Sequence, residues 1–390
     1  MIRAAAKNHA DVAVVVDPSS YGTVLAEIEA QGGTTLATRR KLAQLAYARR
    51  VTLDDGQGRG QRLIEVETGG GLSFDVLADR TLDLGQARFR GVPVAWIGPN
   101  GYRSPFLPGV PEHGHSPMER GLAGLMTTCG FEHARLPAPR ERPPGFLDAN
   151  HPLHGSIPFT PADEVNARLD VEAGALRVEG RVTQFILDGP SYELRRTVTA
   201  PLGGAVIEIA DAVTNIGFAP APVMALYHFN FGWPAVADGA RFERRDENGA
   251  WRGAALTPLR AEPARHVDCV PSSAQDGRAA ARLAGPHVGV EIDYDAAALP
   301  FLQSWRRTEP GLNSENDFRE LVIGRGADGY LVRLREVADV RLSAENERSL
   351  SRSNGVPGIS VGVEQISKAN TLEVARAVRD EMERIRPQLP

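Results

Sequence analysis

The chain has 390 residues, 42% of them hydrophobic and 24% charged, with a formal net charge of -5; this is the composition of a folding globular protein with room for more than one domain. Its charges are mixed along the chain, so no basic stripe points to nucleic acid, and a small neutral or weakly polar ligand fits better. Two widely spaced cysteines, Cys129 and Cys269, exclude a disulfide framework, and no run reaches the roughly 18 apolar residues of a membrane span, so the expected place is the cytoplasm, with no signal peptide and no membrane partner.

The first segment, "DVAVVVDPSSYGTVLAEIEAQGG" from Asp11 to Gly33, reads as a β-branched strand, a proline turn and a helix with Val24, Leu25 and Ile28 on one face. "GQGRGQR" (Gly56 to Arg62) lacks the spacing of a dinucleotide loop and leads into a strand, so a hairpin turn is expected there. From about Val51 short strands alternate with Gly, Asp and Pro turns. "RFRGVPVAWIGP", "ALRVEGRVTQFIL", "YELRRTVTA" and "AVIEIADAVTNIG" predict a large antiparallel sandwich, and the mix of apolar and charged residues around Val206 and Glu208 predicts one face in the core and one wet. "PAPRERPP" (Pro137 to Pro144) predicts a loop. Beyond residue 313, "GYLVRLREVADVRLSA" and "GISVGVEQIS" predict strands. A helix follows Asn370, with Leu372, Ala375, Val378 and Met382 on one face, and stops before Pro387.

The chemistry concentrates in "MALYHFNFGWP" (Met224 to Pro234), where His228 and Asn230 share a strand face by the period of two, and in "HPLHGS", which carries His154. "ADRTLD" offers Asp79, Arg80 and Asp83, whose alternatives are a ligand-holding fork and an ion pair stitching a strand end. Tyr227, Phe231 and Trp233 add aromatic faces beside His228 and Asn230. The irregular spacing of Glu112, His115, Cys129, His133 and His151 predicts no metal.

Through "LADRTLDLGQARFRGVPVAWIGP", "GLAGLMTTCGFEH", "HPLHGSIPFTPA" and "MALYHFNFGWP", residues 45 to about 308 resemble the aldose 1-epimerase (galactose mutarotase-like) family. The resemblance implies a mainly β fold, a galactose mutarotase-like β-supersandwich, and a small-molecule sugar as ligand, with no cofactor. It implies that His228 delivers a proton to the ring oxygen, that His154 orients the sugar, and that a late glutamate takes the anomeric proton, general acid and base work suited to an imidazole and a carboxylate. At the place where that glutamate is due, after "LPFLQSWRR", the sequence departs from the family's pattern, and Glu309 is the candidate base, with Glu315, Asp317 and Glu320 as substitutes. Arg80, Asp83, Asn230, Trp233 and His133 are the expected substrate-binding residues, and the rings of Tyr227, Phe231 and Trp233 suit the C–H faces of the sugar that the resemblance implies.

Residues 1 to 44, through "IRAAAKNHADVAVVVDPSSY" and "TTLATRRKLA", resemble a fragment of the bifunctional purine-biosynthesis formyltransferase and IMP cyclohydrolase; Lys7 matches a site lysine there but is assigned no role. Residues 317 to 390 resemble a porter segment of resistance-nodulation-division efflux pumps. The expected organisation is therefore a chimera: 1–44, a β-supersandwich over 45–312, and an α+β segment over 313–390. Two functions compete, an epimerase-like isomerase and a carbohydrate-binding sandwich that lost its base at the junction; a transporter-derived interaction module is a third.

Overall fold

The computed structural model describes residues 5–6, 8–107, 117–140, 150–170, 172–187, 189–237, 239–256, 265–307, 322–325, 331–333, 352–353 and 356–357. The chain divides into two compact units, 1–340 and 341–390. In the second, the described backbone is one antiparallel pairing of Arg352–Ser353 with Val356–Pro357.

The first unit opens with helices α1 (Tyr21–Gln31) and α2 (Leu36–Tyr47). Asp11–Asp17, expected as a strand, contains none: Val12 and Val16 are exposed and only Val14 reaches the core, so the run finds no ladder partner. α1 ends at Gly32, whose positive φ of 75° closes the last turn. α2 is capped by Thr35, whose Oγ1 accepts the Thr38 N–H at 3.1 Å. It buries Leu42, Ala43 and Tyr47, and Gln44 donates to the Ala167 carbonyl at 2.5 Å.

The strands follow in the predicted texture: β1 (Ala48–Thr52), β2 (Arg62–Glu67), β3 (Leu72–Leu77), β4 (Asp83–Phe89) and β5 (Val92–Pro93). After the short helix α3 (Pro117–Gly121) come β6 (Met126–Cys129), β7 (Ala138–Pro139) and β8 (Asn150–His151). Next are β9 (Asp163–Asp170), β10 (Ala175–Gln184), β11 (Tyr192–Pro201), β12 (Glu208–Asn215) and β13 (Leu226–Phe229). Then follow β14 (Arg241–Arg245), β15 (Trp251–Ala255), β16 (Arg265–Pro271), β17 (Arg278–Ala284), β18 (Gly289–Asp295) and β19 (Phe301–Arg307). The Gly56–Gly58 turn joins β1 to β2, as its sequence predicts. Val206 lies before β12 and is 52% exposed, because the strand begins at Glu208 and its half-buried face is carried by Ile209 and Val213 instead.

One sheet runs β1-β2-β3-β4-β6-β13, with β5 on β4; a second runs β12-β11-β10-β9 and a third β15-β14-β17-β18, while β16 and β19 form a ribbon. Ile64, Val66, Phe74 and Val76 of the first sheet share one core with Leu176, Val178, Val182, Leu194 and Val198 of the second, which makes the body a sandwich. Ala6, Val14, Ala43 and Tyr47 belong to the same core, so the N-terminal segment supplies part of it. Among the described residues no helix is long and apolar enough to cross a membrane. The predicted strand at 358–367 and the helix after Asn370 lie outside the described residues.

β11 sends Tyr192, Leu194, Arg196, Val198 and Ala200 inward. The period of two therefore places a guanidinium in the middle of an apolar stripe. Arg196 survives there because it is paired on both sides. Its register partner on β12, Asp211, takes Nε at 2.8 Å and Nη2 at 2.6 Å, and Asp83 of the facing sheet takes Nη1 at 3.1 Å. Tyr227 of β13 donates to Asp211 at 2.6 Å. This ionic strut joins the two layers of the sandwich.

Candidate active site

β13 is antiparallel to β6, with His228 opposite Thr127 and Tyr227 opposite Thr128. Alternation turns Tyr227, Phe229 and Phe231 toward the core and puts His228 and Asn230 on the other face. Tyr227 and Phe231 are thus structural rings, and the expectation that they stack on a sugar gives way to this geometry. Trp305 of β19 takes that place: 42% exposed, its ring lies 6.0 Å from that of His228 in an edge arrangement.

His154 and His228 meet with ring centroids 5.7 Å apart and planes at 69°. Each ring is pinned through Nδ1, in opposite senses. Asn230 donates its amide to the carbonyls of Gly124 at 2.9 Å and His228 at 3.2 Å, which leaves Oδ1 to accept from His228 Nδ1 at 2.6 Å. His154 Nδ1 instead accepts the Arg135 backbone N–H at 3.1 Å. Neutral His154 therefore carries its proton on Nε2, whereas neutral His228 has a bare lone pair on Nε2. One imidazole offers a donor and the other an acceptor.

Both rings are held neutral. Burial lowers the His154 pKa to about 4, with the charges of His228, Arg135 and His133 pushing the same way. Burial also lowers His228, against the bond to Asn230. A histidine whose folded pKa lies below its unfolded one contributes stability that is full above the unfolded value of 6.5 and is lost as pH falls through the folded value of about 4. His154→Gln should accordingly show a shallower loss of stability than the parent between pH 6.5 and 4 in urea titrations; parallel curves would mean that His154 is protonated in the folded protein.

The "HG" motif has a backbone cause. His154 and Gly155 both have positive φ, 60° and 78°. Gly155 presses so closely on the carbonyl oxygens of Gly130 and His133 that a Cβ would overlap both. The turn is clasped by Gly130 N–H to His154 O at 2.9 Å and His154 N–H to Arg135 O at 2.8 Å. Glu132, buried and unforeseen in the sequence reading, accepts from the Ser156 N–H at 2.9 Å and hydroxyl at 2.7 Å and from the Gln184 amide. It anchors the residue two places after His154, and its signal in the sequence is the glutamate of "TTCGFEH" next to His133. Gly155→Ala is expected to cost more than about 1 kcal/mol, seen as a lowered Tm; an unchanged Tm would show that this turn relaxes freely.

The other expected ligand contacts lie apart. Arg80 is fully buried, its guanidinium 4.1 Å from the Phe159 ring centroid and its Nη2 donating to Gly121 O at 2.7 Å; burial lowers its pKa to about 10. Asp83, also buried, accepts from the Thr128 N–H and hydroxyl at 3.0 and 2.6 Å and from Arg196, and burial raises its pKa to about 6. Both side chains are enclosed, which corrects their expected binding role: Asp83 enters the ionic strut, and Arg80, in the turn before β4, is held by the Gly121 carbonyl and the Phe159 ring. Asp79 pairs with Arg62 at 2.5 Å, the strand-end ion pair. His133 stacks on His151 at 4.8 Å and donates from Nε2 to Leu136 O at 2.6 Å. Trp233 is half-buried in the turn after Gly232. Cys129 is buried, which pushes its thiol well above the ordinary range. Among the described residues no group of three or more His, Cys, Asp or Glu could hold a metal ion. Glu309, Glu315, Asp317, Glu320 and Lys7 lie outside the described residues.

The fold is that of the galactose mutarotase-like β-supersandwiches. A solved structure from Klebsiella pneumoniae subsp. pneumoniae MGH 78578, which carries the provisional description of an aldose 1-epimerase, matches with a TM-score of 0.59 at 20% identity, over 67% of this chain and 71% of that one. Residues 58–314, more than half of the chain, match the family described as a domain of unknown function (DUF4432), and the chain belongs to that family. Its ends match elsewhere: residues 5–56 the AICARFT/IMPCHase bienzyme family and residues 304–390 the AcrB/AcrD/AcrF family. The bifunctional purine biosynthesis protein PurH of Sorangium cellulosum (strain So ce56) is 59% identical over 54 residues, 14% of this chain and 10% of that protein. That of Bradyrhizobium diazoefficiens is 60% identical over 55 residues, again 14% and 10%. The chain thus spans about a tenth of the length of these curated relatives, and its successive stretches resemble three different families.

Proposed function

We propose that the His154–His228 pair, with Trp305 beside it, binds a pyranose sugar and interconverts its anomers. The observation that supports this reading most is the pair of opposite tautomers at 5.7 Å. Anomer exchange moves one proton from the anomeric hydroxyl to the ring oxygen as the C1–O5 bond opens, then reverses. His228 Nε2, bare and buried, takes the hydroxyl proton and, as imidazolium, returns it to the ring oxygen; His154 Nε2–H donates to a sugar oxygen and fixes the pose. Trp305 provides the apolar wall for the sugar face. In the expectation from the family pattern His228 was the acid and a carboxylate the base; the shuttle lets one imidazole serve in both steps. Glu309, two residues beyond β19, is the alternative acceptor of the hydroxyl proton, in which case His228 acts only on the ring oxygen. In this organisation 45–312 is the sugar domain, flanked by segments 1–44 and 313–390 with no share in the chemistry.

A second reading, sugar binding without catalysis, is favoured by one fact: among the described residues no carboxylate is hydrogen-bonded to either imidazole. Polarimetry on freshly dissolved aldoses separates the two. The enzyme reading expects decay to anomeric equilibrium faster with the protein than with its His228→Ala form. Thermal stabilisation by a sugar without acceleration selects binding alone, and Glu309→Gln with an unchanged rate assigns both proton transfers to His228.

A further inference from the structure

β14 and β15 set Arg244 directly opposite Arg252 and Phe242 directly opposite Ala254. Partners in an antiparallel ladder share a face, with Cβ atoms roughly 4.5–5.5 Å apart, and like charges so placed destabilise the pair. A third arginine joins them. Arg244, Arg252 and Arg306, with Ser304, Phe242 and Ala254, line a cleft of about 210 Å³. Among the described residues one carboxylate reaches this group: Asp246 accepts from Arg252 Nε at 2.9 Å, while also holding the Asn248 and Ala250 N–H groups at 3.0 and 2.9 Å. Among the described residues Arg244 and Arg306 have no ion pair there, and Arg306 Nε is buried without a hydrogen-bond partner. A buried donor left unmade is costly, and at the exposed mouth of the cleft Arg244 and Arg252 add two more guanidinium groups.

We infer that this cleft binds the phosphate group of a small phosphomonoester. Guanidinium forks match the oxygen geometry of a phosphate, the Ser304 hydroxyl adds a donor, and two negative charges balance the two unpaired arginines. The volume is several times the roughly 30 Å³ that a water molecule occupies in the liquid, so there is room for the esterified carbon skeleton as well as the phosphate, and Phe242 with Ala254 forms an apolar floor for it. The site is separate from the histidine pair. Trp305 turns toward His228, so its neighbours Ser304 and Arg306 project from the other face of β19.

The test is thermal unfolding and calorimetric titration of the full chain with glycerol 3-phosphate, inorganic phosphate, lactate, glycerol, and sodium chloride at matched ionic strength. Saturable stabilisation by glycerol 3-phosphate is expected, with a weaker response to inorganic phosphate and none to glycerol. Arg306→Gln and Arg244→Gln should each weaken that binding at least tenfold while the unliganded Tm stays within a degree of the parent or rises. A response no larger than that of sodium chloride, equal binding by both variants, or an equal response to lactate overturns the inference. Equal responses to phosphate and to its glycerol ester overturn the ester and assign the cleft to the free anion.

Discussion

Replacing His228 by alanine is expected to reduce the acceleration of anomer interconversion by about 10² to 10⁴, the usual range for one positioned acid or base. The imidazole is fixed by a 2.6 Å bond to Asn230, whose own amide is tied to Gly124, so its loss removes a positioned group. Burial keeps it below the ordinary histidine value of 6.5. It is consequently the neutral base at pH 7, and the acid limb of the rate profile should lie below pH 6.5, not above it. His228→Asn, similar in polarity but with no titrating nitrogen, should be as slow as the alanine form. Rates within threefold of the parent in both variants would remove His228 from the chemistry.

Arg196→Met is expected to cost about 3–5 kcal/mol in urea unfolding at pH 8, because it strands two carboxylates, Asp83 and Asp211, inside the sandwich. The pH dependence gives a sharper check. Asp83 already has a raised pKa of about 6, chiefly from burial and despite Arg196. A carboxyl with a folded pKa above its unfolded value of 3.8 favours the fold most when protonated, and that contribution fades as pH rises through about 6. Without the guanidinium its pKa climbs further, so the gap between parent and variant should be widest at pH 8 and narrower at pH 5. A gap independent of pH would mean that Asp83 does not depend on Arg196 for its charge.

The strands and the histidine face were legible in the sequence because a strand repeats every two residues: "YHFN" alone puts His228 and Asn230 together. The same rule, applied to the neighbours, would have turned Tyr227 and Phe231 away from any ligand. Asp83 and Arg196 were harder to read, since charged letters in a strand usually mark its wet side, and only the facing sheet reveals that they are enclosed; Arg80 is enclosed in the turn before β4 by Phe159 and Gly121. Trp305 could not be joined to His228 from spacing, as 77 positions separate them and the juxtaposition belongs to the ribbon of β16 and β19. The apolar run at Asp11–Asp17 misled for the opposite reason: its composition suits a ladder, but the first sheet ends at β1 and the second at β9, and neither takes it.

β13, four residues long, is the outermost member of the first sheet. The group proposed to carry the proton therefore rides at the rim of the scaffold, with the earlier strands already assembled behind it. The groups that seat this imidazole, β6, Gly124 and Asn230, all lie before residue 231, so its placement draws on nothing beyond β19.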